Sequence, residues 1–277
     1  MSAARAGAAP GDRTFRTFAL AGTVALLAFL VLPFAGLLMR VSPQALVAHL
    51  AEPRVLAALR LSLITGVAST ALVVIVGAPA AWLLATRRFP GKSLVEVLVQ
   101  LPMVLPPTVA GFALLMAFGR MGLVGAWLRP LGITLPFTPV AVVLAQAFMA
   151  APFFVAAARA GFAGVDRRLL DAAATLRASE SFTFFRVVLP LARPALIAGT
   201  AMSAARALGE FGATITFAGN LPGTTQTLPL AVYVALQSDL DTAVVLAVLL
   251  LAMSFALLLA LRLAPAGLLW SRPGARA

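Results

Sequence analysis

Arg206 and Glu210 stand four residues apart inside a stretch, about Pro194–Ala218, that is otherwise apolar. On a helix that spacing places them on one face, where they can pair. Left unpaired at the centre of a bilayer, either charge would cost about 3 kcal/mol or more. Two readings follow: a buried ion pair that only fixes helix orientation, or a charged element that lines or gates a pathway. Around the pair, Ala201, Ala205, Gly209 and Ala213 recur at every fourth position, the pattern that lets membrane helices pack backbone to backbone. Thr214, Thr216 and Asn220 continue beyond it and offer neutral hydrogen bonds to an oxyanion, although threonine in a membrane helix commonly bonds its own backbone. Pro106 and Pro107, with Pro102, mark a second irregular point. They free backbone groups that protein or a water-lined cavity must satisfy, and they serve equally well as a plain helix start.

A second polar concentration lies in residues 161–193. Asp166 is placed to cap a helix whose apolar positions are Leu169, Ala173 and Leu176. Ser179 or Ser181 can start another, with Phe182 and Phe185 on one side, and Pro190 then marks the start of the next apolar segment. Two short helices of this kind are often mere connectors at a membrane surface. The pair Ala172–Ala173 shifts the reading toward docking, because small side chains let another backbone approach closely.

Other chemistries find no support. The chain has no cysteine and one histidine, His49, which leaves no thiolate or histidine cluster for a metal and no Ser-His-Asp arrangement. His49 reads as a solvated residue in a short loop. Gly91-Lys92-Ser93 looks like the end of a phosphate loop, but the first glycine of that motif would fall on Thr86 and no strand precedes it.

The elements that must position these residues are set by hydropathy. The mean hydropathy is +1.02, with 62% hydrophobic and 11% charged residues, which places the chain in a bilayer. Five stretches long enough to cross carry no Asp, Glu, Lys or Arg: Phe18–Met39, Leu61–Thr86, Val97–Gly119, Phe137–Ala158 and Thr242–Leu261. With Pro194–Ala218 they predict six transmembrane helices over 18–262, an all-α membrane protein with tails at 1–17 and 263–277. The net charge of +12 is distributed, not gathered in a patch. Fifteen basic residues fall on the side of the termini, among them Arg87, Arg88, Arg167, Arg168, Arg177 and Arg186. Five fall opposite: Arg40, Arg54, Arg60, Arg120 and Arg129. The positive-inside rule therefore predicts cytoplasmic termini, puts the 161–193 segment in the cytoplasm, and disfavours a nucleic-acid partner. The loop 219–241 faces outward, and its apolar Leu228–Gln237 is too short to cross.

Asp171-Ala172-Ala173, three residues, Arg177, nine residues and Val187-Val188-Leu189-Pro190 resembles the cytoplasmic loop of ABC-importer permeases, written Glu-Ala-Ala, three residues, Gly, nine residues, Ile-x-Leu-Pro. Asp171 replaces the usual glutamate and Arg177 the usual glycine. The run from Arg206 to Asn220 and on to Leu230, with Leu101–Gly111, is similar to the molybdate permeases among the molybdate, sulfate and tungstate family. The resemblance covers about residues 55–262. It implies a type I importer permease fold in which the cytoplasmic loop is a coupling helix seated in a partner ATPase, with Asp171, Ala172, Ala173, Arg177, Leu189 and Pro190 as its motif. It further implies a homodimer of permeases, an external molybdate-binding protein, and alternating access driven by ATP. ATP and Mg would belong to the ATPase dimer, this chain binding no cofactor and catalysing nothing. A self-sufficient secondary transporter is the reading of a different class; it would need ionisable residues in several spans, and only one carries them.

Overall fold

The computed structural model describes residues 10–50 and 52–263, and all the regular structure among them is helical. The expected tails lie largely outside the described residues. In chain order the helices are α1 (Pro10–Leu38), α2 (Pro43–Leu50), α3 (Pro53–Thr86), α4 (Lys92–Val104), α5 (Pro107–Phe118), the one-turn α6 (Gly125–Leu128) and α7 (Pro139–Ala163). They continue with α8 (Arg167–Thr175), the one-turn α9 (Glu180–Thr183), α10 (Leu189–Leu208), α11 (Gly212–Ala218), α12 (Leu228–Ser238) and α13 (Leu240–Leu263). Five helical runs are long and apolar enough to cross a bilayer, and α4 with α5 makes a sixth span if the bent pair is counted as one.

The core forms around α7, which packs between α3 and α10. Close approach is set by small residues. A Cβ at Gly77 of α3 would meet the ring of Phe154 at 2.9 Å, and one at Gly199 of α10 would meet Ala157 at 2.9 Å. A Cβ at Gly161 would meet Ala195 at 2.5 Å, so α7 and α10 approach closely where residues 154–161 face 192–199. Of the expected stripe Ala201–Ala205–Gly209–Ala213, only Ala213, which falls in α11, is buried. Ala192, Gly199, Ser203 and Ala207 are buried, whereas Ala201 and Ala205 are half-buried and Gly209 is exposed. Both rows run at i+4 spacing; the packed one is offset by two positions, about 200° round the helix, so it is the opposite face of α10 that meets α7.

Two spans differ from the uninterrupted helices that hydropathy predicts. The third is bent by 119° between α4 and α5. Leu105 and Pro106 each precede a proline and take extended conformations, with ψ of 137° and 133°, and Pro107 restarts the helix at its first position. α4 is tied to the C-terminal part of α7 by Arg159–Glu96 at 3.0 Å. α5 instead packs with Ala141, Val142 and Ala145 near the start of α7, so the broken pair still runs the length of that helix.

The fifth span ends at Leu208, breaks over Gly209–Phe211 and resumes as the short α11. Nor does it begin at Pro190. A continuous helical run extends from Glu180 to Leu208, with a π turn over Phe184–Val188. There Leu189 N–H donates to Phe184 O, so the ladder is already offset where Pro190, lacking an N–H, would have interrupted it.

Candidate functional site

Two regions hold the expected functional residues. In the 161–193 segment, Asp166 caps α8 by accepting from Arg168 N–H at 2.9 Å, and Ser179 caps α9 by accepting from Phe182 N–H at 3.2 Å. Both caps were readable in sequence. Asp171 lies mid-helix and exposed, so the acid at the helix start is Asp166. α8 closes through two bonds, Arg177 N–H to Ala174 O at 2.9 Å and Ala178 N–H to Ala173 O at 3.0 Å. Those are the two bonds of the Schellman turn. Its left-handed position is Arg177, with φ of 55°.

The backbone thus keeps the conformation a glycine would favour and sets an arginine in it. The alanine pair divides its work: Ala173 is buried, in the turn that Ala178 closes, while Ala172 is exposed. Leu169, Ala172, Leu176, Ala178, Phe182 and Val187 surround an apolar hollow of about 570 Å³, and Leu176 and Phe182 remain largely exposed on it. Behind the hollow, Trp82 of α3, Phe162 of α7 and Phe184 of the π turn stack with centroids 5.2–5.9 Å apart. Arg87 and Glu180 pair at 2.5 Å across the same junction. Leu189 is half-buried and Pro190 exposed, both within the continuous helix.

The second region is where the two breaks meet. A Cβ on Gly212 would meet Pro107 at 2.7 Å and the Thr108 backbone nitrogen at 3.2 Å, and one on Gly111 would meet Ala213 O at 2.6 Å. Pro106–Pro107 and the Gly209–Phe211 break are therefore one junction. Arg206 occupies the last turn of α10, and its Nη1 lies 2.6 Å from Glu210 Oε2. Glu210 Oε1 accepts from Ala213 N–H at 2.7 Å, in the first turn of α11. The cation thus sits at a helix C-terminus and the carboxylate at a helix N-terminus, each matched to the local end of the helix dipole. The pair spans a break and not a continuous helix, and Glu210 has a structural duty there: it satisfies a backbone N–H at the start of α11 that the bilayer cannot.

Of the polar residues beyond the pair, Thr214 is fully buried and its Oγ1 has no protein partner, as is also true of Asn220 Oδ1. Thr216 donates to Gly212 O at 2.9 Å and so spends its hydroxyl on its own helix. Sequence reasoning passed over Gln146 and Ser203, both buried, with Gln146 Oε1 and Ser203 Oγ lacking protein partners. The Gly161–Ala195 and Gly199–Ala157 contacts set α7 antiparallel to α10. That register brings Gln146 level with the end of α10. An uncharged glutamine in an apolar stretch raises no flag in a count of charges; its position inside a span was the available signal.

At the far end of the fold, Ser62 of α3 accepts from Leu228 N–H at 2.8 Å and so caps α12, which packs on α13 and α3. Asp239, at the α12–α13 corner, is held below the usual carboxylate range chiefly by the Thr242 hydroxyl, then by the backbone N–H groups of Thr242 and Asp241 and by His49.

Among the described residues the body is all helical, with two broken spans and a helical elbow over α8 and α9. Residues 74–264 match the family model described as "Binding-protein-dependent transport system inner membrane component", and the chain belongs to that family. It is 43% identical over 234 residues to the "Molybdenum transport system permease protein ModB" of Mycobacterium tuberculosis, covering 84% of this chain and 86% of that protein. The Escherichia coli protein of the same description is 48% identical over 159 residues, 57% of this chain and 69% of that one. Among solved structures, a bacterial alginate ABC transporter in complex with an alginate-bound periplasmic protein superposes with a TM-score of 0.75 over 93% of this chain and 96% of that one, at 16% identity. An amino acid ABC transporter superposes at 0.56 over 78% of this chain and 94% of that one, at 17% identity. Those likenesses show the fold.

Proposed function

We propose that this chain is the membrane-spanning subunit of an ATP-driven importer that carries molybdate into the cytoplasm by alternating access. The carrying observation is the 43% identity, over 84% of the chain, to a molybdenum permease. The exposed hollow on α8 and α9 supports a cytoplasmic ATPase as the partner that supplies energy, since an apolar surface outside the bilayer calls for a protein cover. Both termini lie in the cytoplasm in this reading. An external binding protein delivers the anion, and two copies of the chain enclose the pathway about a two-fold axis. Tungstate shares the shape and charge of molybdate and is a second cargo. ATP and Mg belong to the ATPase, and this chain holds no nucleotide.

Within that reading Pro106, Pro107, Arg206, Gly209, Glu210, Thr214, Thr216 and Asn220 lie along the pathway. Asp171, Ala172, Ala173, Arg177, Leu189 and Pro190 belong to the coupling segment. Reconstitution in vesicles with the ATPase and binding protein tests the assignment by which oxyanion stimulates ATP hydrolysis and accumulates inside. Molybdate and tungstate stimulate, and sulfate does so far less. Transport by the chain alone, indifferent to ATP, would instead identify a self-sufficient carrier.

A further inference from the structure

We propose that Arg206 is the residue that meets the anion at mid-membrane, and that Glu210 is a built-in substitute for the anion, occupying the guanidinium until an oxyanion takes its place. The inference rests on the reading of this chain as an oxyanion importer. Its first support is an asymmetry of burial: the Glu210 side chain is 1% exposed, whereas that of Arg206 is 25% exposed. The carboxylate thus lies behind and the guanidinium in front.

The pair is also incompletely bonded. Glu210 Oε1 has its own donor in Ala213 N–H, but Oε2, though 2.6 Å from Nη1, is not aligned for a hydrogen bond. Charge holds the two together, and a guanidinium has five N–H donors in a fork that suits an oxyanion.

The surface of the two meeting breaks, beside Arg206 in the chain, is of the right kind. Gly209 is exposed, and a Cβ added there would touch only the Ala205 carbonyl, at 3.6 Å. Pro106, Pro107, Thr108 and Val109, at the facing break, are exposed as well. Irregular backbone at membrane depth is stable against protein or a water-filled passage, not against lipid. Two copies present two guanidiniums to a doubly charged anion, while the two carboxylates leave the empty passage without net charge. Such a site receives the anion and also lets it go.

The test uses the complete transporter in vesicles, with molybdate as the probe. The wild type must first import it; failure at that step removes the functional reading and leaves this inference without a subject. Next come Arg206→Gln and the double variant Arg206→Gln/Glu210→Gln, each scored for amount in the membrane and co-purification with the ATPase. Anion contact predicts uptake lowered about 10- to 100-fold in both. A purely structural pair predicts recovery in the double variant, which leaves no unpaired carboxylate, and recovery would overturn the proposal. Should neither variant assemble, Arg206→Lys decides, since it keeps the charge and loses the planar fork. Uptake reduced about 10-fold with the half-saturating molybdate concentration raised supports the proposal, and wild-type uptake overturns it.

Discussion

The α8–α9 segment and the junction of the two breaks solve opposite problems with similar parts. Both are interruptions of helix in which a polar group closes a helix end. At α8 and α9 the caps, Asp166 and Ser179, are exposed and the apolar hollow faces outward. At the junction, Glu210 caps α11 from a fully buried position, and glycines bring backbone against backbone. Water can stand in for a lost cap in the first place and not in the second. A fault in the junction should therefore fall on folding, and a fault in the segment on communication with a partner.

The sharpest way to break that contrast is Gly111→Leu. The added side chain meets the Ala213 carbonyl and Thr216 in a contact with no flexible neighbour to yield. A loss of about 3 kcal/mol should appear as reduced protein in the membrane and a lower unfolding temperature in detergent. A variant with wild-type stability would show that the two breaks are not locked together.

Ala172→Asp should do the reverse. The residue is exposed, so the chain should stay folded while ATP hydrolysis and uptake lose their proportion to each other. Proportionate uptake would move the docking surface elsewhere. Ala173 is the poorer probe, because an acid there also disturbs the buried turn.

Arg177→Gly relieves a left-handed conformation that costs a side-chain-bearing residue about 1 kcal/mol. A small rise in unfolding temperature with coupling unchanged is expected; loss of coupling would give the arginine a partner of its own.

Smaller still is Glu180→Gln. The Arg87–Glu180 pair is largely exposed on both sides, and such pairs contribute about 0.2–1 kcal/mol, an effect that should fade in high salt. A salt-insensitive loss would mean that the pair does more than hold the surface together.

Least of all, Asp239→Asn tests a depressed carboxylate. Because its pKa is lowered on folding, the stabilisation it gives is present above the ordinary carboxylate pKa and is lost as pH falls through the folded value. The variant should therefore flatten the acid limb of a stability–pH curve and leave neutral pH unchanged. Unaltered acid sensitivity would assign that limb to other groups.

How much of this was legible depended on whether a feature was chemical or geometric. Apolar runs announced the spans, Asp166 announced one cap, and Ser179 or Ser181 the other, because each is a local preference of one residue type. The breaks were only half visible: the prolines marked Leu105–Pro107 as irregular without fixing a bend, and at Gly209–Phe211 the charge pair at i, i+4 spacing read as one continuous helix. The meeting of those breaks depends on Gly212 against Pro107, more than a hundred residues apart in sequence. Arg177 showed the limit of reading a motif by residue type, since the conformation persisted after the residue that favours it had gone.

The 29-residue helical run from Glu180 to Leu208 carries a consequence of a mechanical kind. At 1.5 Å per residue it is a rod about 43 Å long, with the α8–α9 hollow at one end and Arg206 near the other. In the proposed reading, elbow and charge pair are two ends of one lever that lies against α7. A small tilt imposed by an ATPase at the elbow would then displace the guanidinium directly, with no relay of side chains between them.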